Sequence, residues 1–180
     1  MTILKIDSSI TGDASVSRQL TAATLDQLRG QDLGAQVVMR DLVATPLTHL
    51  TLGGSGDADV LDEFLAADTV VIGAPMYNFT VPSQLKAWID RILVAGRTFQ
   101  YGANGPEGLA GGKRVIVALS RGGFYEDGNA FEHAKSYLQA AFGFIGITPE
   151  FVHADGIAVG PEQRDAGIAN GLAEVERLAA

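Results

Sequence analysis

The chain contains no cysteine, which excludes disulfides, thiolate metal sites and cysteine nucleophiles. Histidine is scarce. His49, His133 and His153 stand far apart, without the spacing of a metal site, and read as structural or surface residues. Positive charge is also short: 13 Lys and Arg face 21 Asp and Glu, a net charge of −8. An acidic surface repels phosphate backbones, so nucleic acid is not an expected partner. No cluster of Lys and Arg marks a membrane-facing patch. Long hydrophobic runs are missing too. The longest uncharged stretch, Thr69 to Leu85, is broken by Pro75, Asn78, Pro82 and Gln84, and does not read as a membrane span. The apolar opening Met1–Ile6 is too short for a signal-peptide core and carries Lys5. The expected location is the cytoplasm, with no membrane partner.

What is present is ordinary globular material. The 180 residues are 47% apolar and 19% charged, which suits one domain over residues 1–180. Without cysteine, redox chemistry has to come from a cofactor. Apolar spacing then divides the chain. Continuous apolar runs at Ile3–Asp7, Gln36–Arg40, Thr69–Ala74, Arg114–Ser120 and Phe151–Ala154 read as strands. Recurrence at three and four residues predicts helices over Ser15–Leu28, Ala58–Ala67, Gln84–Val94, Ala130–Phe144 and Pro161–Leu178. Gly53–Asp57 reads as a loop. Five strand–helix alternations indicate an α/β fold with a parallel sheet covered on both faces. Ligands of such sheets sit outside the carboxyl ends of the strands, so the loops after strands one, three and four are expected to meet.

Those three loops carry the chemistry. The first, Asp7 to Arg18, holds Ser8, Ser9, Thr11, Ser15 and Ser17 and opens a helix. Hydroxyls and free first-turn N–H groups favour a phosphate there, although Ser15 or Ser17 also suits a plain N-cap. The second, Ala74–Pro82, sets Met76, Tyr77, Asn78 and Phe79 between two prolines. That is a costly connector but a useful platform for a flat ring, with Asn78 at the ring's edge. The third, Ser120–Gly128, contains Arg121 and the pair Gly122-Gly123, which lets the backbone approach a ligand; the alternative is a turn needing positive φ. Rival motifs are absent. No G-x-G-x-x-G follows the first strand, Gly112-Lys113-Arg114 lacks the rest of a P-loop, and there is no G-x-S-x-G elbow.

Taken together, the loops resemble the FMN-dependent NADH:quinone oxidoreductases, also called FMN-dependent NADH-azoreductases. The resemblance rests on Ser8-Ser9 with Ser15-Val16-Ser17, on Ala74-Pro75-Met76-Tyr77-Asn78-Phe79, and on Phe99-Gln100-Tyr101. It continues through Asn104–Leu109, Ser120-Arg121-Gly122-Gly123, Gly143–Ile147 and Gly160-Pro161-Glu162. It implies a flavodoxin-like three-layer sandwich with strand order 2-1-3-4-5. It also implies a homodimer, non-covalent FMN, and a hydride taken from NADH or NADPH. The acceptors implied are quinones and azo compounds, reduced in ping-pong fashion. On this resemblance Ser9, Ser15, Val16 and Ser17 match the phosphate loop, and Pro75, Met76, Tyr77, Asn78 and Phe79 the segment along the ring. Ser120, Arg121, Gly122 and Gly123 match the loop at its other edge. Phe99, Tyr101 and Phe144 resemble aromatics of the acceptor pocket. No acid or base side chain looks obligatory; the cofactor carries the chemistry. One departure is the short stretch Thr48–Asp57, where relatives often carry a longer segment. The alternative from another class is a flavodoxin-type electron carrier; a flavin-free α/β domain whose serines are only caps is a third reading.

Overall fold

A computed structural model describes residues 1–52, 58–126 and 128–178. The expected Gly53–Asp57 loop lies outside the described residues. Seven strands and five helices are present among those described: β1 (Thr2–Asp7), α1 (Val16–Gln31), β2 (Gln36–Asp41), α2 (Ala58–Ala66), β3 (Thr69–Pro75), α3 (Ser83–Ile92), β4 (Phe99–Gly102), β5 (Gly105–Gly108), β6 (Arg114–Ser120), α4 (Ala134–Phe144), β7 (Glu150–Ala154) and α5 (Pro161–Arg177). A single 3-10 turn, Gly12–Ala14, precedes α1. Five strands form a parallel sheet in the order β2-β1-β3-β6-β7, the expected flavodoxin-like order once the β4–β5 hairpin is set aside. None of the described helices is long and apolar enough to cross a membrane.

Residue alternation along each strand divides the core between the two faces. Leu4, Ile6, Val70, Ile72, Val115, Val117 and Leu119 pack with Phe64, Leu85, Trp88, Ile92 and Phe142 from α2, α3 and α4. Ile3, Val71, Ile116 and Ala118 pack with Val16, Leu20, Leu28 and Val175 from α1 and α5. Every residue of β3 is buried, as the centre of a doubly covered sheet requires. Trp88 meets Phe64 edge-on at 5.9 Å. Truncating such a buried ring typically costs about 3–5 kcal/mol.

Two differences from the sequence reading have local causes. The helix expected from Ala130 begins at Ala134, because His133 N–H donates to the Phe79 carbonyl (2.8 Å) and residues 129–132 form turns. The segment Phe99–Leu109 contains an antiparallel hairpin, β4–β5. It docks where two glycine backbones touch. A Cβ on Gly108 would lie 2.2 Å from the Gly146 nitrogen, and Gly146 itself has φ +88°. Only glycine suits either position.

Candidate functional site

The order β2-β1-β3 reverses the direction of winding at β1, so the loops after β1 and β3 diverge and leave a crevice. Ser8 Oγ donates to the Gly73 carbonyl (2.6 Å), which ties the first loop to β3. Ser9 Oγ shares hydrogen bonds with Thr11 Oγ1 (3.0 Å) and the Tyr77 hydroxyl (3.2 Å). Ile10 N–H also donates to the Tyr77 hydroxyl (3.2 Å). Ser15 is the N-cap of α1, accepting from Arg18 N–H at 3.2 Å. Val16 and Ser17 occupy the first turn of α1, where backbone N–H groups lack intrahelical acceptors and suit an anion.

Charge is packed directly beneath this loop. Lys5 and Asp7 are buried on the α1 side of the sheet and form an ion pair. Asp7 also accepts from Thr21 Oγ1 (2.9 Å), and a Cβ on Gly73 would come within 3.1 Å of Asp7 Oδ1. Glycine at 73 leaves room for the carboxylate. Arg18 lies 3.7 Å from Asp7, grips Asp41 through both terminal nitrogens (2.7 and 3.0 Å) and donates to the Ser9 carbonyl (3.0 Å). The hydrogen bond from Arg18, helped by the Val43 and Ala44 amides, holds the Asp41 carboxyl down at about 2 against partial burial. Its folded pKa is depressed, so its contribution to stability is present above 3.8 and is lost as pH falls toward 2.

The second loop contains a strained turn. Tyr77 N–H donates to the Thr80 carbonyl (2.9 Å) and Thr80 N–H returns the bond (3.1 Å). Between them Asn78 (φ +46°) and Phe79 (φ +75°) are left-handed, which a side chain as large as Phe rarely adopts. The third loop is stitched to the segment after β7. Arg121 N–H donates to the Ala154 carbonyl, while Gly156, Ile157 and Ala158 N–H groups donate to the carbonyls of Gly123, Arg121 and Gly122. Arg121 pairs with Asp155 through two bonds of 2.6 Å. Neither Gly122 nor Gly123 has positive φ, so the pair does not serve a left-handed turn.

Between these loops lies a cavity of about 500 Å³, lined by Ser9, Thr11, Ala14, Ser15, Val16, Pro75, Met76, Tyr77, Ser120, Arg121, Gly122, Ile157, Ala158 and Arg164. Hydroxyls and the α1 N-terminus form one end; Pro75–Tyr77 and Ser120–Gly122 line the rest side by side, joined where Met76 N–H donates to the Ser120 carbonyl (2.8 Å). No carboxylate lines it among the described residues, although the chain carries a net charge of −8. An elongated ligand with an anionic end and a flat apolar body fits that chemistry.

Four residues expected along the flavin stand outside that wall. Ser17 is fully buried behind it, with its hydroxyl 3.1 Å from Ser15 Oγ. Asn78 lines a neighbouring cavity of about 530 Å³, of which Tyr77 is also a wall, together with Ile10, Val81, Lys86 and Tyr137. Phe79 is half-exposed against Phe131, at 5.6 Å. A Cβ on Gly123 would touch the Tyr125 ring at 3.4 Å. Phe99, Tyr101 and Phe144 come together, with Phe99 4.7 Å from Phe144 and 5.7 Å from Tyr101. Their cluster borders neither cavity, and Tyr101 is 75% exposed.

Residues 1–179 match the family model described as a flavodoxin-like fold. The chain is 57% identical to the FMN-dependent NADH:quinone oxidoreductase 2 of Bradyrhizobium diazoefficiens, over all of both chains. It is 53% identical to the FMN-dependent NADH:quinone oxidoreductase of Methylorubrum extorquens strain PA1, over 96% of each. The chain belongs to the FMN-dependent NADH:quinone oxidoreductase family. Among solved structures, the azoreductase of Bacillus anthracis strain Sterne superposes with a TM-score of 0.89 at 30% identity, over 99% of this chain and 98% of that one. An FMN-dependent NADH-azoreductase from Bacillus anthracis strain Ames Ancestor, solved in complex with FMN, gives 0.85 at 25% identity over the same shares. The alignment with the Bradyrhizobium relative runs over 201 positions against 180 residues here, so that family member carries residues this chain lacks.

Sequence reasoning missed five members of the cavity wall: Thr11, Ala14, Ile157, Ala158 and Arg164. Thr11 and Ala14 lie inside a loop already singled out. The other three come from β7's exit and α5, a fifth strand end that the switch-point argument also covers. Gly156 (φ +73°), four residues before the helix-opening Gly160-Pro161, was the available signal for a shaped loop there.

Proposed function

We propose that this chain is an FMN-dependent oxidoreductase that takes a hydride from NADH or NADPH and reduces quinones and aromatic azo compounds. It acts as one FMN-binding domain over residues 1–180. The observation that carries this reading is the carboxylate-free cavity in an acidic chain, with hydroxyls and a helix N-terminus at one end and two backbone walls beyond. The names of the family members support it: NADH:quinone oxidoreductases at 49 to 57% identity and structurally similar azoreductases.

The residues present fit FMN. Ser9 and Ser15 hydroxyls and the Val16 and Ser17 N–H groups would hold the phosphate, while Ser17's buried hydroxyl orients that of Ser15. Pro75, Met76 and Tyr77 would lie along the ring, with Ser120, Arg121 and Gly122 beside them at its edge. Bound there, FMN supplies the two-electron chemistry linking the nicotinamide to the acceptor. Asn78 and Phe79 act through the left-handed turn that aims Tyr77 at Ser9, and Gly123 through the bond that its carbonyl accepts from Gly156. Arg121, paired with Asp155, holds the third loop's backbone in place.

The acceptor pocket is assigned to Phe99, Tyr101 and Phe144, and these aromatics imply a second subunit. They border neither of the two cavities above, so they would reach an acceptor if a partner copy brought its cofactor site to them; a homodimer provides this. The reaction is read as ping-pong, and the location as cytoplasmic. The test is an absorption spectrum of the purified chain followed by anaerobic addition of NADH and then menadione. Flavin bands that bleach with NADH alone and return with menadione are expected. A protein that stays oxidised until a separate reductase is added is instead a carrier of the flavodoxin type, and one that takes up no flavin overturns the assignment.

A further inference from the structure

Three arginines lie in or beneath the cavity wall, and two of them are already neutralised. Arg18 is bound to Asp41 from below, and Arg121 to Asp155 from the far wall. Arg164 differs. It occupies the first turn of α5, where its own N–H bonds back to the Gly160 carbonyl at 2.9 Å. From there its side chain crosses to the first loop and donates to the Ala14 carbonyl at 2.8 Å. Ala14 immediately precedes Ser15, the cap of α1, so the guanidinium sits beside the hydroxyl end of the cavity that it helps to line. No carboxylate among the described residues pairs with it. A carbonyl acceptor uses one donor of the guanidinium and leaves its charge uncompensated.

We propose that Arg164 is a specificity residue for the phosphate of the flavin, the cation by which this site selects the phosphorylated cofactor over riboflavin. This rests on the reading of the cavity as an FMN site. An uncompensated cation beside a phosphate end strengthens binding of a dianion and does nothing for a neutral ribityl hydroxyl. The other phosphate ligands, hydroxyls and backbone N–H groups, carry no full charge and discriminate less sharply between a phosphate and a neutral hydroxyl. Arg164 also clips α5 to the loop before α1, so the wall formed by Ile157 and Ala158 and the phosphate loop are held at one spacing.

The experiment measures flavin affinity by fluorescence quenching in the full-length chain stripped of flavin, for FMN and riboflavin in parallel, at two or more salt concentrations. Arg164→Gln keeps a donor for the Ala14 carbonyl but removes the charge. FMN affinity is expected to fall about tenfold while riboflavin affinity stays the same, and the salt dependence of FMN binding should become shallower. Arg164→Lys, which restores the charge, should recover most of the preference. Equal losses for both flavins would mean that Arg164 only holds the loop, and would overturn the proposal. An unchanged FMN preference in Arg164→Gln would overturn it too, while leaving the cavity assignment standing. A wild-type chain that binds FMN no better than riboflavin would overturn both together.

Discussion

The two ends of this molecule's active region are built in opposite ways. The proposed phosphate end is finished within one chain. Its hydroxyls are cross-bonded, Arg18 ties the Ser9 carbonyl to Asp41, and a buried Lys5–Asp7 pair lies under the loop. The aromatic end is left open. Tyr101 and Phe79 are exposed, and the Phe99–Tyr101–Phe144 cluster borders neither described cavity. A small charged group needs donors held to a few tenths of an ångström, which one rigid strand–loop–helix unit supplies. A varied aromatic acceptor needs flat apolar surface, which a neighbouring copy can supply at little geometric cost.

That contrast can be broken at several points. The largest effect is expected from Ser15→Asp. Aspartate caps a helix as well as serine, so α1 is preserved, yet it puts a carboxylate against the phosphate. Like charges about 4 Å apart cost roughly 4 kcal/mol at an effective dielectric near 20, which is close to a thousandfold in FMN affinity. Flavin titration checks this, and retained affinity would remove the first loop from the phosphate site. Next comes Asp7→Ala, which strands Lys5 as a buried charge beside Arg18. Leaving such a charge unpaired costs about 3–5 kcal/mol, measured as a drop in unfolding free energy in denaturant. A loss below about 1 kcal/mol would show that water reaches Lys5 and that the support under the loop is softer than described. The smallest effect, and the sharpest for the open end, is Tyr101→Ala. Quinone KM should rise several-fold, in line with the roughly 0.5–1.5 kcal/mol of an aromatic pair, while FMN affinity stays put. Equal losses in both would move Tyr101 into the flavin shell of its own subunit.

Much of this was legible in the residues. The fully buried β3, Thr69–Pro75, announces a central parallel strand by its unbroken apolar run. The loops after β1, β3 and β6 line one cavity, as strand–helix alternation leads one to expect for the carboxyl edge of a parallel sheet. Side-chain direction was not legible. Ser17 reads as a ligand from its place beside Ser15, but one helical step turns it into the core. Asn78 and Phe79 read as ring contacts, but their left-handed backbone points them away from the cavity that Met76 and Tyr77 line. The hairpin β4–β5 was hidden because Gly108 and Gly146, whose contact fixes it, lie 38 residues apart in sequence.

By itself the sequence determined what local patterns can encode: which segments are strands and helices, which helix starts with a cap, and which loops carry hydroxyls and aromatics. Only the tertiary structure decided how charge is shared among Arg18, Arg121 and Arg164. Each is an arginine near a loop, and nothing in its neighbours along the chain says whether a carboxylate awaits it. Asp41 and Asp155 reach two of them from other strand ends, and Arg164 meets a carbonyl instead. Electrostatic pairing depends on distance through space, and that distance exists only after the sheet has brought five strand ends to one edge.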